Sequence, residues 1–353
     1  MENNQIVSSF LSIFTLIIFF IFLIISKFSF KIKNAVLLDQ DFLKPQAFHK
    51  FATSRAGGLA SIISLNIFFV IYSLIYSKVL HEYIFICNLM FFIGFLDDLK
   101  IKISPSRRLL IMIIFLFLSI HFIPINITNI DVPFLSIFLE NDIFSSIFIL
   151  LCFLFVINGA NLIDGFNGLL SINLIIINSI LVYINLNSGN VEFSVFIIGH
   201  IIMLLSFLLF NFPSAKLFLG DSGSYLMGAL VAQNIITTNN LNPSYSSFFF
   251  CILLFYLFFE VFFSFFRKII LNKSPIYPDS KHLHMLVFKK ISLIFGKEKS
   301  NYINSIIINL VYLSFILPAL FFAKDPIISR YWFFGLIVIY LLVYSRLYHL
   351  TKN

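Results

Sequence analysis

Two adjacent acids, Asp97 and Asp98, close an apolar run in the segment Gly94-Phe95-Leu96-Asp97-Asp98-Leu99-Lys100. Crowded carboxylates raise each other's pKa, and a divalent cation relieves that cost. Adjacent helix positions do not face each other, so one acid can meet a metal while the other meets a second group. A solvated helix end beside Lys100 is the plain alternative, and this segment alone does not decide between the two.

The densest polar cluster runs from Asn158 to Gly168 and holds three Asn, one Asp and three Gly in eleven residues. Asp164 and Asn167 are three positions apart and therefore share a face if the segment is helical. Glycine allows a backbone or a ligand to come close. An ordinary turn does not need this density of amides, so we interpret the cluster, including Asn161, as functional.

Asp221 lies in the segment Leu217-Phe218-Leu219-Gly220-Asp221-Ser222-Gly223-Ser224, which precedes an apolar run. The free N–H groups of a helix N-terminus favour anions at such a position. A simple N-cap would account for the acid, but not for the glycines on both sides of it. Binding and capping both stay open for Asp221 at this level.

A fourth cluster holds His282 and His284 beside Lys281. Two residues at i and i+2 point the same way only in an extended segment. Such a pair can hold a phosphate or, less well, a soft metal, whereas a zinc site would need further ligands and this segment has no Cys. A solvated pair of histidines is the plain alternative.

The composition determines which elements must position these clusters. Apolar residues make up 60% of the chain and charged residues 11%, with 49 Phe, against about 45–50% and 25% in globular proteins. This much apolar surface excludes a disordered chain and requires a lipid bilayer as solvent. The net charge of +8 is therefore interpreted by its position along the chain, and we expect no nucleic-acid partner. The three Cys lie in apolar runs and indicate no disulfide or metal site.

The hydropathy pattern predicts an all-α integral membrane protein, a single polytopic domain over 1–353 with about eleven transmembrane helices. Each run approaches the roughly 20 residues that cross a hydrocarbon core. If the N-terminus is periplasmic and the C-terminus cytoplasmic, 21 of the 24 Lys and Arg fall on the cytoplasmic side, as the positive-inside rule requires. The predicted spans are 6–26, 58–77, 80–96, 109–125, 143–157, 169–187, 194–212, 222–238, 247–266, 303–323 and 329–348. The predicted cytoplasmic loops are 27–57, 97–108, 158–168, 213–221 and 267–302.

In this topology all four clusters lie at the cytoplasmic face. The basic residues Lys50, Arg55, Arg107 and Arg108 precede spans there, where they either anchor to anionic lipid or bind phosphate. Glu260 falls inside a predicted span, which indicates a functional acid unless it pairs with Arg267. Hard oxygen ligands suit Mg²⁺, with Mn²⁺ as the alternative, and phosphoryl chemistry needs mainly positioning and charge neutralisation.

The motifs and their order resemble the polyprenyl-phosphate N-acetylhexosamine-1-phosphate transferase superfamily, the bacterial glycosyltransferase family 4. The matching motifs are Gly57-Gly58, Asp97-Asp98, Asn161-Leu162-Ile163-Asp164-Gly165 with Asn167-Gly168, Phe218-Leu219-Gly220-Asp221 and His282-x-His284. The resemblance implies that undecaprenyl phosphate attacks the β-phosphate of a UDP-N-acetyl sugar and releases UMP. It also implies a bacterial cytoplasmic (inner) membrane location with the active site on the cytoplasmic face.

The resemblance also implies roles for individual residues. Asp221, with Asp98, would bind Mg²⁺. Asp97 and Asp98 would handle the lipid phosphate, one of them as a base. Phe218 would stack on the uracil. The catalytic set would be Asp97, Asp98, Asp164, His282 and His284, and the substrate-binding set would be Lys50, Arg55, Arg107, Arg108, Asn158, Asn161, Leu162, Gly165, Asn167 and Phe218.

Two departures set this chain apart from many bacterial members. Asn167 stands where many have Asp, and Met285 stands where many have a third His. These departures favour the type that initiates O-antigen (lipopolysaccharide) or teichoic acid synthesis, with UDP-GlcNAc or a related donor. A cation-coupled transporter and an inactive scaffold for glycan assembly are the competing hypotheses. No small-xxx-small motif is strong enough to argue for a homodimer, which stays open.

Overall fold

The computed structural model describes residues 2–29, 37–39, 52–101, 103–123, 125–128, 130–275, 277 and 279–352. Over these residues the chain is almost entirely helical, as the hydropathy pattern predicts. One short 3₁₀ turn, Leu320–Phe322, separates the last two helices. The helices are α1 (Glu2–Phe28), α2 (Gly57–Tyr76), α3 (His81–Asp98), α4 (Pro105–Phe122), α5 (Pro133–Leu139), α6 (Asp142–Ile163), α7 (Leu169–Asn187), α8 (Val191–Asn211), α9 (Gly220–Leu241), α10 (Ser247–Leu253), α11 (Phe255–Ile270), α12 (Leu283–Ala319) and α13 (Pro326–Lys352).

Every predicted span coincides with a helix, but the count of eleven crossings is not confirmed. Among the described residues, eight helices are long and apolar enough to cross a membrane. A ninth is added if α10 and α11, bent by 76° against each other, form one span. The helices α3 and α9 lie at predicted positions but are not among these candidate spans. The chain is therefore a multi-pass membrane protein, and the orientation of its termini stays a prediction.

The predicted loops are shorter in the structure because helices extend into them. The α3 helix continues through Asp98, α4 begins at Pro105, and α6 continues to Ile163. Asn158 and Asn161 therefore lie on a helix and not in a loop. The predicted loop 267–302 holds the end of α11 and the first part of α12.

The α9 helix lies at the centre of the bundle. It packs most extensively against α3 and α6, and further against α2 and α7. Nearly all of its residues are buried, including the polar Gln233, Asn234 and Thr238. A helix that meets other helices on every side does not need an apolar surface toward lipid. This explains why hydropathy is weak for α9 although it is deeply buried.

Two glycines allow the neighbouring backbones to reach the start of α9. A β-carbon on Gly94 of α3 would overlap the carbonyl of Asp221, and one on Gly58 of α2 would overlap the side chain of Ser222. Close backbone approach of this kind requires glycine. The beginning of α9 is therefore surrounded directly by the ends of α2 and α3.

A short sheet ties the segment before α2 to the segment before α9. Strand β1 (Leu38–Asp39) pairs antiparallel with β2 (Thr53–Ser54), in the register Leu38 to Ser54. Ser54 also forms a parallel bridge with Leu217, and the Phe218 N–H donates to the Ser54 carbonyl at 2.7 Å. These pairings place the residue after β2, Arg55, at the start of α9.

The α12 helix is broken at Gly296, where φ is +74°. The Asn304 side chain donates to the His284 carbonyl at 3.0 Å. In a straight helix, residues this far apart in the sequence would be about 30 Å apart. The two parts of α12 therefore fold back on each other, which brings the start of α12 into the bundle.

Candidate active site

Asp98 is the last residue of α3, and its carboxylate is fully buried. It accepts hydrogen bonds from the backbone N–H groups of Asp221, at 3.0 Å, and Ser222, at 2.9 Å. Both oxygens are thus used to cap the N-terminus of α9, which carries a partial positive charge. Gly220, with φ +76°, precedes this turn, and a β-carbon there would overlap the Asp98 carboxylate. The metal and base roles predicted for Asp98 stay predictions, while the geometry shows a capping role.

Arg108 joins the two other acids of the site. Its Nη1 lies 2.7 Å from Asp221 Oδ2 and 3.1 Å from Asp97 Oδ1. The guanidinium also lies over the ring of Tyr225, 5.5 Å from its centroid. The N-cap Ser104 and Pro105 begin α4 just before it. The neighbouring Arg107 is exposed, so the structure brings only one of the two predicted arginines to the acids.

Arg55 approaches the same acids from the other side. Its guanidinium nitrogens lie 3.8 Å from Asp98 Oδ1, 3.9 Å from Asp221 Oδ1 and 3.5 Å from Asp39 Oδ2. Asp39 was not among the residues selected from the sequence, although an acid in a mainly basic segment indicates a possible partner for one of the basic residues. Lys50, the other predicted basic residue of this segment, lies outside the residues that the structure describes.

The end of α6 supplies an amide and a free carboxylate. Asn161 Nδ2 donates to Asp221 Oδ1 at 3.2 Å and to Ser224 Oγ at 2.9 Å. Asp164, the first residue after α6, has no side-chain hydrogen bond or ion pair with any described residue. Loss of water around its carboxyl, and next the charge of Asp221, raise the pKa of Asp164 well above its ordinary value. This shift favours the neutral acid, and a cation bound beside it would favour the carboxylate.

The surroundings of the remaining predicted substrate-binding residues differ from one to the next. Leu162 is half-buried, and a β-carbon on Gly165 would meet open space. Asn158 donates to the Leu154 carbonyl of its own helix at 2.7 Å. Phe218 is half-buried, and its carbonyl accepts from the Gly57 N–H at 2.9 Å. Their contacts with a nucleotide stay predictions.

Asn167 holds the turn between α6 and α7 in place. Its Nδ2 donates to the Pro213 carbonyl at 2.8 Å, and its backbone N–H donates to Asn301 Oδ1 at 2.8 Å. An ionised Asp could not donate to a carbonyl. Asn at position 167 therefore has a structural role, because its amide joins the turn to the segment after α8.

Glu260 is the buried partner of the histidine segment, residues 279–284. It is 1% exposed. Its Oε1 accepts from His282 Nδ1 and the Leu283 N–H, each at 3.1 Å, and its Oε2 accepts from the Tyr340 hydroxyl at 2.6 Å. The alternative pairing of Glu260 with Arg267 is wrong. Arg267 instead lies 2.9 Å from Asp279 Oδ2.

Asp279 shows how tightly this segment is held. Burial alone would raise the pKa of the Asp279 carboxyl. The hydrogen bond from Arg267 and, next, the charge of His282 lower the pKa by more, so it lies below its ordinary value. The segment between α11 and α12 is thus fastened to α11 by an ion pair.

His284 reaches the loop that carries Asp164. Its ring meets Phe166 edge to face at 5.7 Å, and its Nδ1 lies 3.0 Å from the Tyr256 hydroxyl. The rings of His282 and His284 are 5.6 Å apart and nearly parallel, at 9°. Both are almost fully buried, and their contact with a diphosphate stays a prediction.

The first testable consequence concerns Glu260. Glu260→Gln replaces one acceptor oxygen by an amide that faces a donor, and should lower the free energy of unfolding by about 1–3 kcal/mol. Tyr340→Phe, which removes one donor only, should cost about 1 kcal/mol. Thermal unfolding of the detergent-solubilised protein measures both. A Gln variant as stable as the wild type would show that the buried carboxylate does not hold the histidine segment.

The charges of the site do not balance. Five carboxylates surround the start of α9, from Asp39, Asp97, Asp98, Asp164 and Asp221, and two guanidinium groups face them. Carboxyl groups crowded in this way raise each other's pKa, and a bound cation would relieve that cost. No group of three His, Cys, Asp or Glu in the described part of the chain could hold a metal by itself. Oxygen donors of this kind suit an ion that takes one or two carboxylates and completes its shell from a phosphate, as Mg²⁺ does.

Comparison with known proteins confirms the resemblance drawn from the motifs. Residues 80–239 match the model of glycosyl transferase family 4. This region runs from the start of α3 nearly to the end of α9 and contains every carboxylate of the site except Asp39. Arg55 and the histidine segment lie outside it, so their place in the site rests on the geometry described above.

Several curated proteins are similar to the chain. It is 34% identical over 154 residues, 44% of this chain and 45% of the other, to an undecaprenyl-phosphate alpha-N-acetylglucosaminyl 1-phosphate transferase of Thermotoga maritima. It is 33% identical over 151 residues, 40% and 47% of the two chains, to a phospho-N-acetylmuramoyl-pentapeptide-transferase of Clostridium perfringens. With the protein of the same name from Staphylococcus carnosus the identity is 30% over 209 residues, 54% and 64%. The chain spans about half the length of the first of these relatives.

Proposed function

Because residues 80–239 relate the chain to the superfamily of polyprenyl-phosphate N-acetylhexosamine-1-phosphate transferases, we propose that it transfers a sugar-1-phosphate from a UDP-sugar to undecaprenyl phosphate. The observation that carries this proposal is the set of carboxylates at the N-terminus of α9, with two arginines beside them. Phosphoryl transfer needs charge neutralisation and positioning above all, and this site is built for both.

The reaction forms one bond and breaks one. A terminal oxygen of undecaprenyl phosphate attacks the sugar-bearing phosphorus of the UDP-sugar, and the bond from that phosphorus to the oxygen bridging to UMP breaks. UMP leaves with the bridging oxygen, and a lipid diphosphate sugar remains. A phosphate monoester is already mostly ionised at pH 7, so little help is needed from a base. Asp97, half-exposed beside Arg108, is better placed for that help than the buried Asp98.

The chain's own residues do most of the positioning. Arg55 and Arg108 would hold phosphate oxygens through charge-assisted hydrogen bonds. Asn161 fixes the orientation of the Asp221 carboxylate. Mg²⁺ would be held by Asp221 together with Asp97 or Asp164, and when bound it neutralises charge on the diphosphate. Asp98 holds the N-terminus of α9 in place, since both of its oxygens cap that helix.

We propose a UDP-N-acetylhexosamine, UDP-GlcNAc or a close derivative, as the donor. The named activity of the Thermotoga maritima relative supports GlcNAc, but identities of 34% and 33% do not separate the two named relatives. Asn167, which holds a turn, and Met285, which is buried, support a donor other than a muramoyl-pentapeptide. The product would start a cell-envelope polysaccharide of the O-antigen or teichoic type.

We place the enzyme in the bacterial cytoplasmic membrane with its site at the cytoplasmic face, on the strength of the distribution of Lys and Arg. No observation favours a cation-coupled transporter, which would carry acids near the membrane midplane. Four of the five acids of the site lie at or next to helix ends, and Glu260 accepts hydrogen bonds from His282 and Tyr340.

Release of UMP tests the proposal. Detergent-purified protein is mixed with undecaprenyl phosphate, Mg²⁺ and, one at a time, UDP-GlcNAc, UDP-GalNAc and UDP-MurNAc-pentapeptide. We expect UMP from one of the N-acetylhexosamine donors, lost on addition of EDTA and restored by excess Mg²⁺. UMP from the pentapeptide donor alone would overturn the donor proposal. Folded protein that binds no UDP and releases no UMP would overturn the reaction and favour a scaffold.

A further inference from the structure

Arg108 occupies space that a cation would need. We propose that Arg108 is an exchangeable counter-ion, which holds Asp97 and Asp221 in the metal-free protein. A divalent cation displaces it, and the released guanidinium then binds a phosphate group of the substrate. This inference rests on the proposed function, because it assumes that the site takes a divalent cation and a phosphate ester.

The geometry of the contact is the first argument. A single nitrogen of Arg108, Nη1, is shared between Asp221 Oδ2 and Asp97 Oδ1. A Mg²⁺ ion bound to the same oxygens would lie about 2.0–2.1 Å from each, closer than the arginine nitrogen now lies. Ion and nitrogen cannot occupy that space together, so binding of the ion between these carboxylates requires the guanidinium to move.

The unused donors of Arg108 are the second argument. Its guanidinium carries five N–H groups, and with the described residues only Nη1 makes hydrogen bonds or ion pairs. The other nitrogens are not among the buried, unpaired atoms, so each keeps some exposed surface. A guanidinium binds phosphate through two parallel hydrogen bonds, and Arg108 already presents free donors for this.

The contrast with Arg55 is the third argument. Arg55 lies 3.5–3.9 Å from three different carboxylates, one of them the fully buried Asp98. Through Asp98 it balances a charge that is fully buried, so its departure would leave that charge without its cation. Arg108 makes its two short contacts only with Asp97 and Asp221, whose side chains are 34% and 16% exposed. Only Arg108 can therefore leave without stranding a buried charge.

The exchange makes a quantitative prediction about metal binding. In the wild type the ion must break two contacts of Arg108, which weakens the affinity of the protein for the ion. A phosphate that binds the released guanidinium offsets this loss. Metal and phosphate should therefore strengthen each other's binding, and this coupling is reciprocal. Without Arg108, the metal should bind more tightly on its own and the coupling should vanish.

The test is a titration of the purified full-length protein in detergent with Mn²⁺, followed by EPR of the free ion. It is done with and without a short-chain polyprenyl phosphate. We expect Arg108→Ala to bind Mn²⁺ roughly 10-fold more tightly than the wild type, within the usual 5–150-fold range of coupling, with no further gain from the lipid phosphate. Arg108→Gln, which keeps the length of the side chain, should behave in the same way.

Arg107→Ala is the matched control, because Arg107 is the neighbouring arginine and is exposed. It should keep the wild-type affinity for Mn²⁺ in the absence of lipid phosphate. Equal or weaker Mn²⁺ binding by both Arg108 variants, or a lipid effect that survives in them, overturns the inference. If the wild type and all variants bind no Mn²⁺, the exchange is also wrong, and UMP release that resists EDTA would then show that the transferase reaction stands without it.

Discussion

Asp221→Asn should reduce the rate of UMP release by about 10²–10³-fold, the usual cost of removing one electrostatic contact from a reacting site, while the protein keeps its fold. Asp221 is the acid on which the site converges, since Arg108, Arg55 and Asn161 all reach its carboxylate. Asparagine has the same shape but no charge. The variant therefore removes the negative charge that attracts a cation and keeps the shape of the side chain.

Initial rates of UMP release at saturating donor and lipid measure the effect. Asp39→Asn is the matched control, because Asp39 contacts the same arginine, Arg55, at the edge of the site. It should lose less than about 10-fold, in keeping with the roughly 0.2–1 kcal/mol of a partly exposed ion pair. Wild-type rates in Asp221→Asn would remove Asp221 from the reaction and leave the proposed mechanism without its central acid.

Asp98→Ala should have the largest effect on stability, about 3–5 kcal/mol, as expected when one partner of a buried charged contact is removed. Two backbone N–H groups at the start of α9 would lose their acceptor, and Arg55 would lose one of its carboxylates. Thermal unfolding in detergent and the monodisperse fraction after solubilisation measure this loss.

Asp97→Ala is the control, because it removes the adjacent acid of the same helix, whose side chain is 34% exposed. It should change stability by less than about 1 kcal/mol. Asp98→Asn, with one acceptor left, should fall between the two. If both alanine variants unfold at the same temperature, the carboxylate of Asp98 is not the support of α9.

The sequence locates the polar clusters but does not assign the individual oxygens. Asp97 and Asp98 are chemically identical neighbours, and only the packing of α3 against α9 decides that one is a cap and the other faces Arg108. The same holds for Arg107 and Arg108. Which of two adjacent residues faces the site depends on the rotation of a helix within the bundle, which a single sequence does not give.

Longer-range partners were missed for a related reason. Glu260 and Arg267 lie on one helix, so pairing them was reasonable from the sequence. The segment before α12 instead packs against α11, and His282 binds the Glu260 carboxylate. Hydropathy likewise finds all the helices at the predicted spans but does not show that α9 and α3 are surrounded by protein. Burial is a property of the assembled bundle.

The central position of α9 also has a consequence for how the protein is made. A helix with Gln233, Asn234 and Thr238 in its interior gains little from entering lipid alone, because polar side chains near the middle of a membrane are unfavourable during insertion. Its main partners, α3 and α6, precede it in the chain. We therefore expect α9 to enter the membrane against the earlier helices α3 and α6 and not against lipid alone.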